Sequence, residues 1–166
     1  MQGLSEIAQW SVIILLAIIL AIVSVSDIRH RRIPNWTVLA ICGLSIPWIL
    51  LGHGPSLLSA LAAMLIAFGV TWPLYAFGLF GAGDSKLLMA LSLLVGAQNL
   101  LNFFVVVAIA GGVIAAASLA ANPTRALVLF QLRGKGGYGR DVPYGVAIAI
   151  AAAIIITWPF VRPALA

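Results

Sequence analysis

Apolar segments separated by short polar stretches fill most of this 166-residue chain and constrain its fold more than any other feature. One helix needs about 20 residues to cross the hydrocarbon core of a bilayer. Only 8% of the residues are charged, against about 25% in soluble domains. We therefore predict an all-α polytopic membrane protein, a bundle of six transmembrane helices in a single domain over residues 1–166. The predicted spans are 7–26, 37–51, 57–80, 85–98, 100–121 and 143–161.

Two of these spans, 37–51 and 85–98, are short for a crossing. Either flanking interfacial residues such as Trp36 and Gln98 complete them, or the bilayer thins locally. A cleaved signal peptide is an alternative for the first segment, since it ends in small residues. Residues 1–6 contain no Lys or Arg, whereas a signal peptide requires a positive start. We therefore expect the first segment to remain as a helix.

The basic residues predict how the bundle is oriented. With alternating crossings, eight of the nine Lys and Arg residues fall on one side, and only Arg162 falls on the other. The positive-inside rule makes that side cytoplasmic and places both termini outside. The net charge of +5 then indicates contact with anionic lipid headgroups and no nucleic-acid partner. The eight are Arg29, Arg31, Arg32, Lys86, Arg125, Arg133, Lys135 and Arg140.

Cysteine usage limits what the chain can bind. Cys42 is the single cysteine, so neither a disulfide within the chain nor a cysteine-based zinc site can form. We expect no metal. The segment 133–140 is basic and glycine-rich, but it lacks the residue spacing of a phosphate-binding loop. A solvated loop is the simpler interpretation.

Three of the four acidic residues, Asp27, Asp84 and Asp141, fall at the predicted cytoplasmic ends of spans, and Glu6 lies on the other side. An ionisable group at a membrane is costly and is a functional-site candidate. Each aspartate also has a structural explanation. Asp84 can cap a helix, Asp27 can pair with the arginines that follow it, and Asp141 can be a loop acid beside a basic neighbour.

Two aspartates at neighbouring helix ends can hydrolyse a peptide bond without a cofactor. If they lie close together they share one proton, so that one carboxylate accepts a proton from water while the other carboxyl donates to the substrate carbonyl. The helix dipole predicts that Asp84, at a helix N-terminus, is the ionised partner and that Asp27, at a C-terminus, is the protonated one. The arginines near Asp27 oppose the second half of that assignment.

These residues carry a resemblance to the type IV prepilin peptidases, which are membrane aspartic proteases. The sequence Gly81-Ala82-Gly83-Asp84 is a GxGD motif that continues into Ser85-Lys86. Asp27-Ile28-Arg29 through Ile33-Pro34-Asn35 resembles the first catalytic motif of the family, and Val142-Pro143-Tyr144-Gly145 resembles its last-helix motif. The motifs cover about 35 residues in the family's order, and the six-span layout extends the likeness along the chain.

The resemblance implies cleavage of prepilins after a Gly at the cytoplasmic face of a bacterial inner membrane. The substrate would carry a short basic leader ahead of a hydrophobic helix. Asp27 and Asp84 match the catalytic pair, and supporting positions are Gly81, Gly83, Lys86, Pro34, Asn35, Pro143 and Gly145. The chain resembles the short form associated with Flp or Tad pili, which lacks the zinc-binding insertion and the methylation domain.

Two other functions fit the same composition. A small proton-coupled carrier or channel would use the aspartates to bind ions, although such acids belong nearer the membrane midplane. A non-catalytic assembly subunit of a secretion or pilus system would use them only for capping. Replacing either aspartate by asparagine distinguishes a peptidase from an assembly subunit, because an assembly subunit would stay functional.

Overall fold

The computed structural model describes residues 2–78, 80–121 and 144–161 as an assembly of helices. Each of the six predicted segments forms one helix, so the all-α class is confirmed for these residues. The helices are α1 (Gln2–His30), α2 (Asn35–Leu50), α3 (Leu57–Ala76), α4 (Ala82–Val95), α5 (Leu100–Ala121) and α6 (Tyr144–Val161).

Helix α4 lies at the centre of the bundle. It packs against α2, α3 and α6, and α1 packs against both α2 and α6. Helices α1, α2, α4 and α6 therefore enclose one core, with α3 placed outside α4 and α5 outside α6. The helices are apolar on all sides, which is typical of membrane segments. Their outward faces expose large apolar side chains such as Ile14 on α1, Leu65 on α3 and Val113 on α5.

Three helices, α1, α3 and α5, are long and apolar enough to cross a membrane, within the residues that the structure describes. Helices α2 and α6 are apolar but shorter. The helix in the fourth predicted span has only 14 residues, about 21 Å at 1.5 Å per residue. Nine of those residues are buried, so surrounding helices cover α4 and it need not match the bilayer by itself.

Several helix bounds differ from the predicted segments. Helix α1 continues past residue 26 to His30 and stops where Arg31 adopts a left-handed conformation, φ 53°. The third helix ends at Ala76, before residue 80. The fourth begins at Ala82, before residue 85, and it ends before Gly96, whose positive φ of 76° is one that glycine adopts readily. Gln98 therefore lies beyond the helix.

Pro34 separates the first two helices as its sequence position predicts. It is the N-cap of α2, with φ −63° and ψ 133°, an extended conformation that proline favours. Its carbonyl oxygen accepts hydrogen bonds from both the backbone N–H and the hydroxyl of Thr37, at 3.1 and 2.6 Å. The turn that follows Asp27 is thus closed by local contacts, and it holds the end of α1 beside the start of α2.

Candidate active site

Asp27 lies in the last turn of α1 and is buried, with 6% of its surface exposed. Its Oδ2 accepts a hydrogen bond of 2.8 Å from the backbone N–H of Gly145, at the start of α6. The N–H of Val146 faces the same carboxylate. The first turn of a helix has backbone N–H groups without a partner in the helix, so α6 supplies donors that stabilise the charged form of Asp27.

Only a glycine fits at position 145 without displacing the Asp27 carboxylate. A Cβ atom at this position would lie 2.9 Å from Oδ2 of Asp27 and 3.1 Å from its Cγ. A methyl group would therefore push the carboxylate away. Gly145, predicted as a supporting residue, contacts the first aspartate directly, although 118 positions separate the two in the chain.

Asp84 occupies the first turn of α4, ahead of the predicted span 85–98. The N-cap of this helix is Gly81, so the expectation that Asp84 itself caps the helix is wrong by three residues. Instead the backbone N–H of Gly81 faces the Asp84 carboxylate and favours its charged form. A Cβ on Gly81 would come within 2.8 Å of Oδ2 of Asp84, so this glycine allows a close approach.

The turns that carry the first two motifs touch each other. A Cβ on Gly83 would lie 3.3 Å from Cβ of Ile33, so the absence of a side chain at Gly83 lets the GxGD turn approach the α1–α2 turn. Nζ of Lys86 lies 3.5 Å from Oδ1 of Asn35 and donates to it. The three sequence motifs thus converge at one end of the bundle, as far as the described residues reach.

The pKa of Asp84 shifts in the direction opposite to the one that the helix dipole predicts. Burial first, and the negative charge of Asp27 second, raise the pKa of Asp84 to about 6, and the Gly81 N–H opposes this rise only in part. Burial also raises the pKa of Asp27, although the N–H groups of Gly145 and Val146 and the charge of Arg31 oppose this rise. Both pKa values are therefore raised, and which aspartate carries the shared proton stays a prediction. The dipole of one helix end is a small effect compared with desolvation and a nearby like charge.

Two aromatic residues belong to this cluster, although neither was predicted as a site residue; Tyr144 stands within the last-helix motif, and Phe80 lies outside the motifs. The rings of Phe80 and Tyr144 are in contact, with their centroids 5.3 Å apart. Phe80 directly precedes Gly81, and Tyr144 directly precedes Gly145. Their positions next to the two motif glycines are the signal that could have identified them.

Some predicted features lie outside the described residues. They are Pro143, Asp141, Arg162 and the glycine-rich segment 133–140. Within the described part of the chain, no group of three or more His, Cys, Asp or Glu side chains could hold a metal ion.

The comparison with known families agrees with the motif placement. The model of the type IV leader peptidase family matches residues 14–116, more than half of the 166-residue chain. That range includes both aspartates. No curated protein and no solved structure matches the chain significantly. Because the family model covers most of the bundle, this multi-pass membrane protein belongs to the type IV leader peptidase family.

Proposed function

We propose that the chain is a membrane-embedded aspartic endopeptidase that removes the short leader of prepilins, after a Gly, at the cytoplasmic face of a bacterial inner membrane. The single observation that carries the proposal is the pairing of Asp27 with Asp84. The two residues come from separate motifs, yet the charge of one raises the pKa of the other. Family membership supports the leader peptidase activity, and the pair supports its aspartic chemistry.

In the proposed reaction Asp27 is the base and Asp84 is the acid. Asp27 accepts a proton from a water molecule as the water oxygen attacks the scissile carbonyl carbon, and Asp84 donates its proton to the carbonyl oxygen. The tetrahedral diol then collapses, the C–N bond breaks, and the leaving nitrogen takes the proton held on Asp27. One hydroxyl of the diol returns its proton to Asp84 as the carbonyl group forms again. The Gly145 N–H supports this assignment because it stabilises a charged Asp27. The two carboxyls titrate as one coupled unit.

The proposed topology has six spans within the single domain 1–166, with both termini outside. The described basic residues support it, because Arg29, Arg31, Arg32 and Lys86 lie at the same end of the bundle as the aspartates. In this arrangement a prepilin would keep its basic leader in the cytoplasm and its hydrophobic helix in the bilayer beside the peptidase. The scissile bond between them then reaches the aspartates at the membrane boundary, where water is available. The reaction needs no cofactor, and its product would serve pilus assembly.

The test is co-expression of the full chain with a prepilin, followed by separation of precursor from mature pilin. We expect Asp27→Asn and Asp84→Asn each to lower the cleavage rate by about 10³-fold, within the range for loss of a general acid or base. Asparagine keeps the size of the side chain, so folding should be retained. Membrane levels of each variant should match those of the wild type.

Glu6→Gln is the matched control, because it also neutralises an acid, on an exposed residue early in α1. It should cleave like the wild type. Normal cleavage by either aspartate variant would overturn the catalytic assignment and favour a capping role. Loss of cleavage in the Glu6 variant as well would point to a general effect of charge on insertion.

A further inference from the structure

The two aspartates are held by a repeated local arrangement. Each carboxylate lies against a glycine: Asp27 accepts a hydrogen bond of 2.8 Å from the Gly145 N–H, and Oδ2 of Asp84 would lie 2.8 Å from a Cβ on Gly81. In both places the residue before the glycine is aromatic, Tyr144 in one and Phe80 in the other. Each aromatic ring is therefore one residue away from the glycine that contacts a carboxylate.

The two rings are packed against each other. Their centroids are 5.3 Å apart and their planes are inclined by 31°, within the range that aromatic pairs prefer. Both side chains are half-buried. This contact joins the start of α6 to the turn before α4, the two backbone segments that carry Gly145 and Gly81. The ring contact therefore connects the segment that contacts Asp27 directly to the segment that contacts Asp84.

Each residue of the pair also contacts an outer helix. The ring of Tyr144 lies against α5, where a Cβ on Gly111 would be 3.4 and 3.5 Å from two of its carbon atoms. The backbone of Phe80 is tied to the end of α3, since its N–H donates to the Leu74 carbonyl oxygen at 3.2 Å. Helix α5 therefore contacts the Tyr144 ring, and the end of α3 holds the backbone of Phe80.

We propose that Phe80 and Tyr144 are positioning residues that set the separation of the Asp27 and Asp84 carboxylates. The proposal rests on the proposed function, in which these aspartates share a proton around one water. Two neighbouring carboxyls repel whenever both are charged, so the pair needs an outside restraint. Because the Gly145 and Gly81 contacts each hold only one aspartate, the ring contact restrains one relative to the other.

Steady-state cleavage of a prepilin by the purified full-length protein tests this role. We expect Phe80→Leu and Tyr144→Leu to lower kcat by about 10- to 100-fold, since a displacement of about 1 Å can cost 10²-fold. KM should change by less than about 2-fold, because a positioning residue acts on the chemical step and not on substrate binding. The conservative variants Phe80→Tyr and Tyr144→Phe keep a ring and should restore kcat to within about 3-fold of the wild type.

Phe68→Leu is the matched control. It breaks another aromatic contact, between Phe68 and Trp72 on α3, whose centroids are 5.6 Å apart and which touches neither aspartate. Its kcat should equal that of the wild type. Thermal melting of every variant separates a loss of catalysis from a loss of folded protein.

A second variant covers the case in which the leucine variants do not fold. Gly111→Val keeps both aromatic residues, but its side chain would displace the Tyr144 ring from α5. It should therefore also lower kcat at unchanged KM. The double variant Phe80→Leu/Tyr144→Leu should be no slower than the worse single variant, because both changes break one contact.

Three results would overturn the proposal. Leucine variants with wild-type kcat would show that the ring contact does not position the aspartates. A raised KM with unchanged kcat would show that the rings bind substrate instead. A Tyr144→Phe variant as slow as Tyr144→Leu would assign the effect to the hydroxyl. If Asp27→Asn still cleaves, the proposed function itself fails, and this outcome is distinct from the other three.

Discussion

The carboxylate of Asp27, near the end of the first helix, is held by the backbone N–H of Gly145 at the start of the last helix, at 2.8 Å. This contact closes the bundle around α1, α2, α4 and α6 at the end that carries the motifs. It also explains how an aspartate with 6% exposure is tolerated in a core of apolar side chains. Its charge meets the unpaired N–H groups of a helix N-terminus.

Replacing Gly145 by alanine should lower the cleavage activity through the position of the Asp27 carboxylate. The Cβ of Gly145→Ala would fall 2.9 Å from Oδ2 of Asp27, so the carboxylate must move. We expect cleavage to fall by about 10- to 100-fold, measured as the ratio of precursor to mature pilin. Gly69→Ala is the matched control in a helix, because its Cβ would meet nothing within 4 Å. Equal activity of both alanine variants would contradict a direct role of this contact.

Stability should depend on pH through Asp84, whose pKa burial and the Asp27 charge raise from 3.8 to about 6. A raised pKa favours the protonated side chain in the folded state. Its stabilising contribution is therefore complete below pH 3.8 and is lost as the pH rises through about 6. We expect the melting temperature of the purified protein to fall as the pH rises from 3.8 to about 6 and to level off above that.

The variant Asp84→Asn removes one titrating group and should make that pH dependence less steep, although Asp27, whose pKa burial also raises, still titrates. Glu6→Gln should keep the wild-type slope. An Asp84→Asn variant with an unchanged slope would assign the effect to another group.

The turn after α4 should be sensitive to a single methyl group. Gly96 has φ 76°, and a Cβ there would lie 2.5 Å from Cβ of Pro55. Gly96→Ala combines a left-handed backbone cost of about 1–2 kcal/mol with overpacking of about 1–3 kcal/mol. Denaturant or thermal unfolding should show a destabilisation of about 2–5 kcal/mol.

Gly52→Ala isolates the backbone part of that cost. Gly52 has φ 71° but open space around its Cβ position, so we expect a loss of only about 1–2 kcal/mol. Equal losses at the two positions would show that the turn at Gly96 relaxes away from Pro55.

The proposed orientation can be tested by labelling single cysteines in a Cys42→Ala background. Glu6 and Arg32 are both exposed and lie towards opposite ends of α1. A membrane-impermeant maleimide should label Glu6→Cys in intact spheroplasts, and Arg32→Cys only after the membrane is opened. The reverse pattern would place the basic loops outside and contradict the positive-inside assignment.

The number and type of the helices could be predicted because the information is local. An apolar run and the polar residues at its ends define a helix whatever its neighbours are, and Pro34 and Gly96 terminate or cap helices through their own backbone preferences. The order of the motifs along the chain likewise identified the family. The position of α4 could not be predicted from its apolar run, because its first turn, with Asp84, precedes that run; helix and predicted segment have the same length but differ by three positions.

The amino-acid sequence alone therefore determined the six apolar helices and the two aspartates that are the best catalytic candidates. Only the tertiary structure decided that Gly145 holds Asp27, that Phe80 meets Tyr144, and that burial raises the pKa of both aspartates. These are contacts between residues far apart in the chain, and burial depends on every helix that surrounds a group. The effect of a helix dipole can be predicted from the position of a residue within one helix. Desolvation arises only after the helices have packed together.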